Sequence, residues 1–425
     1  MSDKMLRKIE GIDSKILKII IFLLLIYSFF GYLFPENIIF LMLIFASLAI
    51  ILNLVIEKRR IVTVKQLILL CLIILFVLVL IVPASYSLFP ESSINVSFIR
   101  SVILIVGFLI SLQGNWYEKG LKVILIFSMI HILATFFSYL FPNFFLSFIV
   151  PFLPSPVGVE TTKFMLDDMY AGITDQIGRN AFYISVGIAT LYSYFVIKTN
   201  KLSKFHILFL FIFMGISLLT LLLTGKRGHL VANLFSMLFI TSVYTKIKGK
   251  SILLKLSIVV IIIIAFLYFL TYLFPETAAP FLRFIERQGG DQTSGRMELY
   301  IYALELFIEK PLMGWGVGVF SNLYGMGNHN IYLQLLSENG LIGFTIFSTI
   351  IIFNLFCTTS GLKSNYYSGV LEYNKFFLFS LYIQVFFIIY GLTGNPLSDG
   401  FILIIYMIAS SIPYTLNTKG TSKKT

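Results

Sequence analysis

His329 and Asn330 stand where a glycine-rich polar stretch gives way to apolar sequence, in GMGNHNIYLQLLSENGLIGF from Gly325 to Phe344. Asn328 is a suitable N-cap, which places His329 in the first turn of the helix that follows. The partial positive charge and free N–H groups of a helix N-terminus disfavour an imidazolium and attract an anion. His329 is therefore expected to be neutral and able to accept a proton. Asn330, Gln334, Ser337 and Glu338 recur at helical spacing and form one polar stripe on an otherwise apolar helix. Glu338 would lie about two turns in, where a carboxylate is costly unless it does chemistry or pairs with a neighbour. The plainer reading makes His329 an interfacial residue and Glu338 a packing partner.

A second group of candidates is cationic. Lys226, Arg227 and His229 crowd a short turn in LLLTGKRGHL, residues 221–230. They could bind an anion, or lie as snorkelling cations at a tight hairpin. Arg179 with Asn180 opens another apolar run, and Arg296 opens the helical pattern RMELYIYALELFIE. For Arg296 the plain alternative is an ion pair with Asp291 or Glu298. Arg283, Arg287 and Arg100 are weaker candidates of the same kind. The four histidines, at 131, 206, 229 and 329, are not spaced as metal ligands, so no metal site is expected. No cofactor signature, nucleophile elbow or phosphate-binding loop is present. The glycines of GWGVGVF do not follow a strand pattern and are expected to make a close turn.

The elements that must carry these residues are transmembrane. The chain has 425 residues, of which 58% are hydrophobic and 12% charged, half the charged share of a soluble protein. Apolar runs long enough to cross a bilayer recur along it. The expected fold is an all-α polytopic membrane bundle of about twelve spans: 16–33, 37–56, 66–83, 98–113, 121–141, 181–198, 205–223, 228–244, 252–274, 331–356, 376–392 and 401–416. With both termini cytoplasmic, 23 of the 32 basic residues fall in cytoplasmic segments, as the positive-inside rule requires. The net charge of +12 is thus topological and gives no reason to expect nucleic acid as a partner. Cys71 and Cys357 lie in apolar runs and say nothing of redox compartment.

Nine basic residues break the rule: Arg100, Lys163, Arg179, Lys226, Arg227, Arg283, Arg287, Arg296 and Lys310. Six are arginines, the better bidentate ligands for phosphate and carboxylate. Two external segments are long. The first, 142–180, contains four prolines. The second, 275–330, contains a helix expected to start at an N-cap on Ser294, to stop at Pro311 and to lie in the membrane interface.

Together these features resemble the O-antigen ligases and the related O-antigen and capsule polymerases. His329-Asn330, followed by Gly340-Leu-Ile-Gly343, resembles the family's histidine motif. SGRMELYIYALELFIEKPLMGWGVGVF resembles the stretch upstream of that motif, and LLTGKRGHL the family's external Thr-x-Ser-Arg-Gly turn. The resemblance is strongest over residues 220–345, and the first 170 residues match in hydropathy alone. The chain departs from the pattern at Lys226, where the family usually has serine, which changes the charge of the pocket.

The resemblance implies a metal-independent, inverting glycosyltransferase of the bacterial cytoplasmic (inner) membrane. Its donor would be an oligosaccharide on undecaprenyl pyrophosphate, used at the external membrane face. It implies that Arg227 and Arg296, with Arg179 and Lys226, hold the pyrophosphate, and that His329, with Asn330 beside it, removes the acceptor proton. Glu338, Gln334, His229, Arg283, Arg287 and Arg100 are further candidates. The expected partners are the lipid-linked oligosaccharide, the bilayer, and a chain-length regulator and flippase. The acceptor separates two activities: another lipid-linked repeat unit for a polymerase, or lipid A core or another terminal acceptor for a ligase. A flippase or transporter for the same lipid-linked sugar is the alternative of another class. Transporters, however, place charges within their spans and are built from repeated halves.

Overall fold

The computed structural model describes residues 19–56, 62–114, 116–197, 204–249, 272 and 296–421. The expected ninth span at 252–274 lies outside them (apart from residue 272), as do Arg283, Arg287 and the Ser294 cap. The described residues form helices and connections, with no strand among them.

Among the described residues, six helices are long and apolar enough to cross a bilayer. They are α3 (Val64–Ser85), α4 (Pro90–Ser111), α5 (Tyr117–Leu140), α10 (Arg227–Ile247), α13 (Ile331–Tyr367) and α14, whose regular part is Asn374–Tyr390. Further helices complete the bundle: α1 (Ile19–Leu33), α2 (Glu36–Ile56), α8 (Ile177–Val196), α9 (Lys204–Leu223) and α15 (Gly400–Thr421). The segment between α5 and α8 holds α6 (Pro142–Phe152) and α7 (Ser155–Leu166). Between α10 and α13, the described part contains α11 (Arg296–Glu309) and α12 (Val319–Tyr324).

Two helices form the centre. α8 is buried from Arg179 to Ser193, and α14 from Phe376 to Phe387. Around them α5 packs on α8, α10 on α14, α15 on α4 and α14, and α3 on α4 and α13. The polar residues of α8 are tolerated because this helix meets protein rather than lipid. By contrast α3 leaves Leu67, Ile74, Leu78 and Ile81 exposed, as a lipid-facing helix would.

Two boundaries differ from the sequence reading. α4 begins at Pro90, not near residue 98, because proline suits the first helical turn and Ser93 Oγ donates to the Val317 carbonyl at 2.7 Å. The expected span 331–356 is a longer helix with a break at Gly340, whose φ of 64° and ψ of −169° are not helical. The chain 311–316 fills the break. Leu341 N donates to Pro311 O at 2.8 Å and Ile342 N to Leu312 O at 3.1 Å. Trp315 N donates to Ser337 O at 3.1 Å and Gly316 N to Glu338 O at 2.8 Å. Four backbone groups at the break thus find partners, as buried backbone requires. Gly314, Gly316 and Gly318 all have positive φ, so GWGVGVF forms the close turn its glycines predict. α11 ends at Glu309, just before Pro311.

Candidate active site

The candidate residues meet at one end of the bundle. Lys226 caps α10 and Arg227 opens it. Arg296 opens α11, and His329 and Asn330 precede α13. The N-cap of α13 is Asn330, not Asn328: its Oδ1 accepts from Tyr332 N at 3.0 Å and Leu333 N at 3.2 Å. Asn328 instead accepts from Asn330 N through its side chain at 3.2 Å. His329 therefore lies one residue outside the helix, with a left-handed φ of 54°. Such a conformation is uncommon for a non-glycine residue and clusters at functional sites.

The surroundings of His329 favour its neutral form, but not through a helix N-terminus. His329 is exposed at the surface, yet the protein around it removes part of its hydration. That desolvation, followed by the charges of Arg296 and Lys226, lowers its pKa below the ordinary 6.5. Lys226, exposed at its surface but crowded beneath, is lowered from 10.5 by desolvation and by Arg296. Three basic groups thus share one positive field, which an arriving anion would relieve.

A segment absent from the sequence reading holds this site together. The loop 391–399, GLTGNPLSDG with Gly400, joins α14 to α15. Its Gly391 carbonyl accepts from Ile331 N at 2.8 Å. Its Leu392 carbonyl accepts from Asn330 Nδ2 and its Thr393 carbonyl from an Arg296 Nη, both at 3.5 Å. Thr393 also packs on the 226–228 turn so closely that a Cβ on Gly228 would lie 2.3 Å from its Oγ1. The signal available in the sequence was modest: two glycines, a proline and an acid between two apolar runs.

The remaining candidates serve this loop or the core. Arg179 is committed to two carboxylates. Its Nε donates to Asp399 Oδ2 at 2.9 Å, and one Nη to Asp175 at 2.5 and 2.7 Å. Its guanidinium also lies 4.7 Å from the ring centroid of Phe401. Arg100 is buried within 3.7 Å of Glu338, which accepts from Gln334 at 3.1 Å. The polar stripe of α13 therefore faces α4 and the 391–399 loop, the packing alternative for Glu338. His229 is buried against Tyr390, with ring centroids 4.1 Å apart.

An all-helical membrane bundle with a basic, histidine-bearing site at one end defines a class of polytopic membrane protein. Residues 210–348 match the family model described as O-antigen ligase. The match spans the 226–228 turn, α11, His329 and the break at Gly340. It excludes Arg100, Arg179 and the 391–399 loop. No curated protein matches the chain.

Proposed function

We propose that this protein is a polymerase of lipid-linked oligosaccharide repeat units for O-antigen or capsular polysaccharide. It would transfer sugar from undecaprenyl pyrophosphate at the external face of the cytoplasmic membrane, with both termini on the cytoplasmic side. The observation that carries the reading is the convergence of Lys226, Arg296 and a neutral histidine beside the 391–399 loop. In this reading Lys226, Arg227 and Arg296 neutralise the pyrophosphate, with no metal ion. Charge stabilisation by preorganised cations is worth most where charge develops on the leaving group. His329 accepts the proton of the acceptor hydroxyl. That oxygen bonds to the anomeric carbon from the face opposite the pyrophosphate, the carbon–phosphate-oxygen bond breaks, and undecaprenyl pyrophosphate leaves. The configuration inverts.

The structure prompts two reassignments within this reading. Arg179, held by Asp175 and Asp399, orients α8 against α15 instead of binding phosphate. Asn330, occupied as a cap and tied to Leu392, sets the direction of His329. A chain-length regulator and a flippase remain expected partners in the cell.

The test is reconstitution in liposomes with one undecaprenyl-pyrophosphate-linked repeat unit and no second acceptor. The expected product is a glycan ladder that is lost in His329→Ala. Transfer only after a terminal acceptor is added would make the protein a ligase, and silence in both assays would favour transport.

A further inference from the structure

The loop 391–399 contacts all three parts of the site, yet its own position is set from below by a buried polar network. Arg100 from α4 is 4% exposed. One of its Nη atoms donates to Ser398 Oγ at 3.2 Å, and the other lies 3.7 Å from Glu338 Oε2. Gln334 and Ser398 exchange hydrogen bonds at 2.7 and 3.0 Å, and Gln334 also donates to Glu338 at 3.1 Å. Arg100 Nε, by contrast, is buried without a hydrogen-bond partner. A charge this deep is expensive, and the break in α13 two residues beyond Glu338 brings the 314–318 turn against it.

The network joins three elements, α4, α13 and the 391–399 loop, below the backbone contacts that tie the loop to the start of α13. Gln334 and Glu338 belong to the first half of α13, headed by Asn330 with His329 just before it. Ser398 belongs to the loop whose Thr393 carbonyl accepts from Arg296. We propose that Arg100, Gln334, Glu338 and Ser398 are positioning residues: they set the height of the 391–399 loop against α13, and through it the distance of His329 from Arg296 and Lys226. This inference rests on the glycosyl-transfer reading, and none of the four residues is asked to touch substrate. Buried contacts are suited to this task, since a packed core has low compressibility and transmits strain.

The experiment uses the full-length protein in liposomes. Ser398→Ala and Gln334→Leu are measured for kcat, for KM of the lipid-linked donor and for thermal unfolding. The titration of His329 is followed by NMR of labelled histidine. The expected result is at least a tenfold fall in kcat per folded protein, with KM within about twofold. The His329 titration should also move up towards its ordinary range, as the ring drifts from Arg296 and Lys226. Arg100→Met and Glu338→Met should each lose more activity than the double variant, because a single change strands a buried charge.

Unchanged kcat per folded protein with a lower unfolding temperature would overturn the proposal and make the network structural only. A raised KM at constant kcat would also overturn it, in favour of substrate contact. If the unmodified protein transfers no sugar, the catalytic reading fails. The His329 titration still decides whether the network sets the ring's surroundings.

Discussion

At the scale of single residues, the proposed reaction requires a neutral His329. Its pKa is lowered by desolvation and by Arg296 and Lys226. A base is active when unprotonated, so the acid limb of kcat/KM should fall below pH 6.5. Lys226→Met removes one of the two neighbouring charges, and the limb should move up towards 6.5 even though the maximum rate drops. A pH–rate profile of both forms checks this, and a limb that stays put would separate Lys226 from the histidine. The sequence predicted the neutrality of His329 but assigned it to a helix N-terminus. The left-handed φ and the cap on Asn330 place the ring outside that helix. The cations that act instead are 33 and 103 residues away in sequence.

At the scale of elements, the break in α13 decides the site's shape. A Cβ on Gly340 would lie 2.3 Å from the Leu312 carbonyl, and its φ is positive. Gly340→Ala combines a backbone clash with a strained conformation, which by itself costs about 1–3 kcal/mol. The expected outcome is a lower unfolding temperature together with loss of the 311–316 contacts. Gly215 on α9 has open space around it, so Gly215→Ala should be neutral or stabilising by up to about 1 kcal/mol. Comparing the two in detergent separates a general glycine effect from the break. The hydropathy of α13 gave no hint of a break, because the residues on both sides of Gly340 suit a helix. α11 shows how far pattern alone reaches. Leu299, Ala303 and Leu306 face the protein. Met297, Ile301, Leu304 and Ile308 are exposed on the opposite side, and Glu298, Tyr302, Glu305 and Glu309 lie between them. That three-sided arrangement suits a helix lying in the membrane interface, the position expected for it.

At the scale of the whole molecule, the basic residues separate by end. Lys375 lies over the Tyr194 ring and Lys248 over Tyr244, and Tyr367 bonds to Ile247. These contacts gather the lysine-rich ends away from the site. If the site is external, a cysteine at Glu305 should react with a membrane-impermeant maleimide added to intact cells, and one at Lys363 should not. Both positions are exposed. Cys71→Ser provides the background, since Cys357 is buried. Labelling of Lys363→Cys in intact cells would reverse the orientation and remove the case for an external lipid-linked donor.

Hydropathy by itself determined the helical membrane class, and within the described residues a helix lies at each of the eleven expected spans, six of them long and apolar enough to cross a bilayer. Hydropathy is a local sum, and the bilayer imposes it on every segment alike. The spacing around His329, the 226–228 turn and α11 also determined the family resemblance. What only the tertiary structure decided was which charges meet. Arg179 and Arg100 read from sequence like Arg296, as cations on the wrong side of a membrane. Arg179 has one partner four residues away, Asp175, but its second partner Asp399, and Arg100's partners Glu338 and Ser398, lie more than 200 residues away from them. Whether a buried cation meets a carboxylate or an open site depends on packing between distant helices, and no local pattern carries that information.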